Sequence, residues 1–146
     1  SAAILSADWL VPNETEAEVL TGSAVHDRAA AVLAARQLQR LGAKRALVTM
    51  GADGVLLADT AGRLLVAEPF RVRAVDTTAA GDAFAGALAY ALAGGVSESE
   101  AVRFACAAGA LTTTRHGAQS AVPGGEEVRQ LLQQQPEAGC LRICTE

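Results

Sequence analysis

Asp76-Thr77-Thr78-Ala79-Ala80-Gly81-Asp82 is the stretch around which the chain reads as organised. It follows a run of strand type, Phe70 to Val75, and opens an Ala-rich run, Ala83 to Ala93, that reads as a helix. Small residues at this junction leave a helix N-terminus bare. Its unpaired N–H groups, with the helix dipole behind them, suit a phosphate or another developing anion. Asp82 then has two readings: a first-turn acid that only complements the dipole, or a group that does chemistry beside the bound anion.

Outward from that junction, toward the C-terminus, Gly94-Gly95 breaks the chain and Ser97-Glu98-Ser99-Glu100 is a capping box. The helix it starts, Ala101 to Thr112, is small enough throughout to pack tightly on a neighbour. Arg115-His116-Gly117-Ala118-Gln119 is a polar loop, Val122-Pro123-Gly124 a stop, and Glu126 to Gln133 a last helix. From residue 133 to 146 the pattern fades, and a poorly ordered tail is expected after a domain spanning 1–132.

Toward the N-terminus the expected elements form a β-meander: Arg45 to Met50, Val55 to Ala58 and Arg63 to Ala67, joined by turns at Gly51-Ala52-Asp53-Gly54 and Asp59-Thr60-Ala61-Gly62. Hairpin geometry alone explains Gly51 and Gly54, and the same glycines would let backbone lie close to a flat ligand. Asp27 starts a helix whose Ala31, Ala34, Ala35, Leu38 and Leu41 share a face. Before it, Asn13 to Gly22 carries an N-cap Asn, acids in the first turn and a terminating Gly. Capping accounts for Asn13 and Glu16 with nothing catalytic required. Trp9-Leu10-Val11, closed by Pro12, reads as a short strand. Strands alternating with helices, plus the meander, indicate an α/β or α+β sheet flanked by helices.

The 146 residues suffice for one domain with its own core. A net charge of -4 without a basic cluster argues against nucleic acid and against a polybasic membrane patch as partners. No apolar run approaches a membrane span, and Ser1 to Asp8 has no basic n-region of a signal peptide. Three cysteines, Cys106, Cys140 and Cys144, are an odd number. The four-residue step from Cys140 to Cys144 lacks the second pair of a zinc site, and a reducing, cytoplasmic setting is expected.

Four segments taken together resemble the ribokinase-like carbohydrate kinases, also called the phosphofructokinase B family. They are Pro12-Asn13-Glu14-Thr15-Glu16, Val48 to Gly54, Val75 to Phe84, and Thr114 to Gln119 with Val122-Pro123. They agree in order and spacing over residues 7 to 132, and the run before Val122-Pro123 is closer to ribokinases than to fructokinases or adenosine kinases. The resemblance implies a ribokinase-like α/β fold and transfer of the ATP γ-phosphoryl to a sugar hydroxyl, with ribose giving ribose 5-phosphate. Asp82 matches the family's catalytic base, and the N–H groups of Ala80, Gly81 and Asp82 its anion hole. Ala79 stands where many relatives carry Gly. Asn13 and Glu16 match residues that organise Mg2+, its waters and the phosphates, Glu16 acting through water. Thr49, Gly51 and Gly54 match positions along the nucleotide, and Cys106 falls near the adenine, where relatives often have His or Asn. Asp76, Thr78, Thr112, Arg115 and Gly117 correspond to ligands of a K+ ion, mostly through main-chain carbonyls apart from the Asp76 carboxylate. Ala121 replaces a serine that some relatives place there.

By the same resemblance the chain is a C-terminal portion, lacking the N-terminal half with its sugar motif and β-lid. The cut leaves an edge strand and apolar helix faces, so a homo-oligomer or an N-terminal partner is expected. The competing readings are a catalytically inactive nucleotide-binding fragment, a fragment whose motifs are inherited packing with no ligand, and another sugar or nucleoside kinase of the family.

Overall fold

The computed structural model describes residues 7–144; the Ser1 to Ser6 part of the segment read for a signal peptide lies outside them. Where composition suggests a single domain, contacts divide the described chain into two compact units, with breaks between Val66 and Ala67 and between Leu141 and Arg142. Each unit has its own buried cluster.

In the first unit, helix α1 (Glu14–Thr21) begins at Asn13 and ends on Gly22, as its caps require. Helix α2 (Arg28–Arg40) is capped by the Asp27 carboxylate and buries Ala31, Ala34, Ala35 and Leu38. Leu41, expected on the same face, is instead the C-cap and 44% exposed, because the helix stops one residue before it. Strands β1 (Ala46–Thr49), β2 (Val55–Ala58) and β3 (Leu64–Ala67) form the expected meander, β1 and β2 antiparallel with Ala46 opposite Ala58 and Thr49 opposite Val55. The small face of α2 packs on Ala46, Val48, Leu56 and Ala58.

Residues 9–11 do not make a full strand. Leu10 and Asn13 form isolated parallel bridges to Ala46 and Thr49. The reason is Pro12: Leu10 N–H donates to Arg45 O, the Leu10 and Pro12 carbonyls accept from Leu47 and Thr49, but Pro12 has no N–H for the next rung.

In the second unit, α3 (Ala80–Ala93) and α4 (Glu98–Thr112) pack closely, and α5 (Gly125–Gln134) lies on α4. The Ser97–Glu100 capping box is formed as expected. The expected strand over 70–75 is absent. Arg71 instead exchanges hydrogen bonds with the Gln135 side chain (N–H to Oε1 2.9 Å, Nε2 to O 2.8 Å), and Val75 and Asp76 both donate to Thr113 O. A side chain and a helix end take the place of a neighbouring strand.

The tail is also not poorly ordered over the described residues. Helix α5 runs to Gln134, a turn follows, and β4 (Arg142–Ile143) joins the sheet beside β3 with Leu65 opposite Ile143. Arg103 holds the turn, its guanidinium donating to the carbonyls of Leu132, Gln135, Pro136 and Ala138 at 2.9 to 3.2 Å. A cation that collects the last carbonyls of a helix satisfies groups the helix cannot pair itself.

Gly139 tests this packing. Its φ is +71°, and a Cβ there would meet Phe70 Cε2 at 2.6 Å and Arg103 Cγ at 3.1 Å. Gly139→Ala is expected to destabilise the second unit by about 1–3 kcal/mol through strain and overpacking, read as a lower urea midpoint. An unchanged midpoint would mean the turn is not docked on Phe70.

Candidate functional site

The candidate residues of the first unit gather at the carboxyl end of β1. Asn13 Oδ1 accepts from Glu16 N–H at 2.9 Å, and Glu16 Oε2 accepts from Asn13 N–H at 3.0 Å. This reciprocal cap fixes the exposed first turn of α1 and uses one carboxylate oxygen of Glu16. The bridge from Asn13 to Thr49 places these side chains beside the end of β1. There the chain enters the short 3-10 turn Gly51–Asp53, closed by Met50 N–H to Gly54 O at 2.9 Å. Next to the same helix, an open apolar groove of about 370 Å³ is lined by Leu10, Val11, Pro12, Val19 and Leu20, and Val19 is 80% exposed.

In the second unit the centre is Asp76. Its Oδ1 accepts from Thr78 N–H at 3.0 Å and Thr78 Oγ1 at 2.6 Å, and its Oδ2 from Gly117 N–H at 3.1 Å. The carboxylate thus ties the loop entering α3 to the loop leaving α4. Gly117 adopts φ +100°, and a Cβ there would meet Ser120 Oγ at 2.8 Å, so the approach needs a glycine.

Helix α3 begins at Ala80, three residues before the expected Ala83, with Ala79 as a cap that offers no side-chain bond. The first i→i−4 bond is Ala83 N–H to Ala79 O. Gly81 and Asp82 therefore lie ahead of the helical ladder, with N–H groups that have no intrahelical acceptor. Ala80 differs from expectation: its N–H donates to Thr77 O at 3.2 Å, so the bare pair is Gly81 and Asp82. The Asp82 side chain is exposed in this first turn.

The remaining candidates lie around this centre or away from it. Thr112 is buried with its hydroxyl donating to Ala108 O at 2.9 Å, and its carbonyl accepts from Arg115 N–H at 3.5 Å. The Arg115 side chain turns to Glu127. Ala121 is fully buried in a 3-10 turn. Cys106 is part of the apolar cluster with Phe70, Val128 and Leu131, and burial pushes its thiol up to about 12. It offers a neutral S–H and not a thiolate. Among the described residues, no group of three or more His, Cys, Asp or Glu gathers to hold a metal, Cys140 and Cys144 included. The oxygens of Glu16, Asp76 and the carbonyls near Gly117 are of the hard type that Mg2+ and K+ take.

Three contributors carry little signal in the sequence. Thr113 matters through its carbonyl. Gly109 lets α4 approach α3, since a Cβ there would meet Ala80 O at 3.3 Å. Glu127 was visible only as a first-turn acid of the last helix.

The Thr78 hydroxyl and amide, then the Gly117 amide, hold the Asp76 carboxyl down to about 2 from its ordinary 3.8. A depressed carboxylate contributes stability that is complete above the unfolded value and is lost as pH falls through the folded one. Protection of the Gly117 amide from exchange is therefore expected to hold above about pH 4 and to fall away toward pH 2. Asp76→Ala should remove that protection at every pH. Protection in Asp76→Ala equal to the parent's would refute the tie.

Comparison with known proteins shows which family the chain resembles in sequence and fold. The sequence model of the pfkB family of carbohydrate kinases matches residues 1–124. The ribokinase of Haemophilus influenzae is 43% identical over 126 residues, which cover 86% of this chain and 41% of that protein. Among solved structures, the Thermotoga maritima ribokinase superposes with a TM-score of 0.82 at 41% identity, covering 91% of this chain and 45% of the other. Arabidopsis thaliana ribokinase, solved with ribose and ATP, gives 0.84 at 34%, covering 91% and 43%. Two Escherichia coli structures were solved with ions. A putative ribokinase II with ATP and Mg2+ gives 0.77 at 28%, covering 91% and 42%, and phosphofructokinase-2 with potassium gives 0.79 at 27%, covering 92% and 43%. The chain thus spans less than half the length of each of these relatives.

Proposed function

This chain belongs to the pfkB family of carbohydrate kinases, and we propose that it is the ATP-binding and catalytic-base portion of a ribokinase, transferring the ATP γ-phosphoryl to ribose. The observation that carries the reading is the uncapped first turn of α3, where two N–H groups and the Asp82 carboxylate stand together. Phosphoryl transfer asks the protein mainly to position reactants and to stabilise charge. Asp82 takes the proton of the attacking hydroxyl, and the N–H groups of Gly81 and Asp82 receive the charge on the moving group, with Ala79 and Ala80 shaping the turn.

Asn13 and Glu16 would hold Mg2+ through its waters, and Thr49, Gly51 and Gly54 would flank the nucleotide. Cys106 would contribute an apolar wall toward the base. The Asp76 carboxylate and the carbonyls of Thr78, Thr112, Arg115 and Gly117, beside Ala121, would hold K+. These ions supply positive charge against the phosphates. A cytoplasmic setting belongs to the same reading, supported by three free thiols; no helix among the described residues is long and apolar enough to cross a membrane.

A chimera in which this chain replaces the matching portion of the Haemophilus influenzae ribokinase provides the assay. It is expected to form ADP in a ribose-dependent way. Asp82→Asn should lower kcat by about 10²–10⁴-fold while the ATP Kd changes less than about twofold. Turnover retained in Asp82→Asn would remove the base assignment. A folded chimera that binds ATP and never turns over would favour an inactive nucleotide-binding fragment.

The apolar groove beside α1 supports a further part of the proposal: the first unit is completed by an N-terminal half or by a second copy of the chain. Leu10 turns its N–H and carbonyl to β1, so the Val11 backbone groups point away from β1, where another strand can add. Alone, the chain is expected to self-associate with rising concentration, and Val19→Asp to reduce this in light scattering. A monomer at all concentrations, unaffected by Val19→Asp, would count against a second copy.

A further inference from the structure

We propose that Glu127 is a positioning residue for the N-terminus of α3, acting through Arg115 and the loop that leaves α4. Arg115 Nη2 donates to Glu127 Oε1, and Nη1 to Oε2 at 3.4 Å. The same carboxylate accepts from Gly124 N–H at 2.9 Å, so it is fixed to the start of α5 while it grips the loop. The side-chain bond to Arg115, then the Gly124 amide, holds the Glu127 carboxyl below its ordinary range.

The loop has short-range support on its helix side, and its Thr113 carbonyl also accepts from Val75 and Asp76 N–H. Thr113, Thr114 and Arg115 donate to the carbonyls of Ala110, Leu111 and Thr112, the last at 3.5 Å. Two residues past Arg115, Gly117 N–H reaches Asp76 Oδ2, and Asp76 in turn holds Thr78. The Glu127–Arg115 contact therefore joins α5 to a loop that Gly117 ties to Asp76 and Thr78, alongside the direct bonds from Val75 and Asp76 N–H to Thr113 O, and that leads on to the bare turn with Gly81 and Asp82. A simple cap on α5 would need only the bond to Gly124. The bond to Arg115 is what extends the influence of Glu127 to the other helix. Its consequence for catalysis rests on the kinase reading above; its consequence for the loop does not.

Amide exchange measured by NMR on the 146-residue chain separates the two. Glu127→Ala is expected to speed exchange at Gly117 and Thr78 by about tenfold, with the interior of α4 unchanged. Glu127→Gln, which keeps an acceptor but loses the charge, should give a smaller rise in the same amides. Adding Arg115→Ala to Glu127→Ala should produce no further change at Gly117, because both act through the same side-chain pair. Faster exchange confined to Gly124 and the first turn of α5 would reduce Glu127 to a local cap and overturn the proposal, and so would a uniform rise across the second unit. In the chimera, Glu127→Ala should raise the K+ concentration for half-maximal rate several-fold and lower kcat, with ATP affinity unchanged. If the parent chimera is inactive, the kinase reading fails while the exchange data still decide the role of Glu127.

Discussion

The helix end at the candidate site of the second unit is bordered by two loops that one carboxylate ties together. Asp76 sits where the chain passes from residues 70–75 into α3, and its two oxygens take donors from both loops that border that helix end. This has an effect on what remains. Thr78 and Gly117 N–H groups are satisfied by Asp76, and Ala80 N–H by Thr77, which leaves the N–H groups of Gly81 and Asp82 as those ahead of the ladder. The anion-binding capacity of a helix N-terminus is thereby narrowed to two neighbouring donors, pointed by a turn that cannot easily shift. Small side chains at Ala79, Ala80 and Gly81 keep the approach open.

The first unit solves a different problem with a similar economy of groups. Glu16 must stay near Asn13 to complete the cap, so its carboxylate is held in place before any ligand arrives. Only one of its oxygens is used in doing so. A cap and a role toward hydrated Mg2+ are therefore compatible on one side chain: the metal keeps most of its water shell and needs no direct bond from the acid. The cap also explains why the local reading of this segment is complete without chemistry.

Much of this was legible in the sequence because its signals are local. Asn13 with Glu16, Ser97 with Glu100, and the turn glycines at 51 and 54 announce themselves within three or four residues, and the structure forms them there. The strand expected over 70–75 failed for a nonlocal reason. Phe70 and Val72 are turned inward while Arg71 and Arg73 are exposed, so the alternation holds as far as Arg73 and lapses at the exposed Ala74, and the partner of the Arg71 backbone is the side chain of Gln135, 64 residues away. The tail shows no periodicity because its order comes from outside it, from Arg103 on α4 and from pairing with β3. Pro12 is an intermediate case: the strand expected before it is reduced to isolated bridges at Leu10 and Asn13, because Pro12 has no N–H for the rung between them.

The alanine- and glycine-rich character of α3 and α4 links packing to the site. A helix whose first turn must be bare cannot be anchored there by large side chains or by a capping group. It has to be located by what lies behind it. Gly109 on α4 faces the Ala80 carbonyl and Phe84, close enough that a Cβ would crowd the carbonyl at 3.3 Å, so α4 supports the turn by backbone contact where a longer side chain would push it away. Ala83 and Phe84 are buried directly after the turn, and Ala105 and Ala108 are buried on α4. Close packing of small residues resists movement because even one added methylene is felt. The same composition that makes these helices look featureless in the sequence is what holds an uncapped helix end in place.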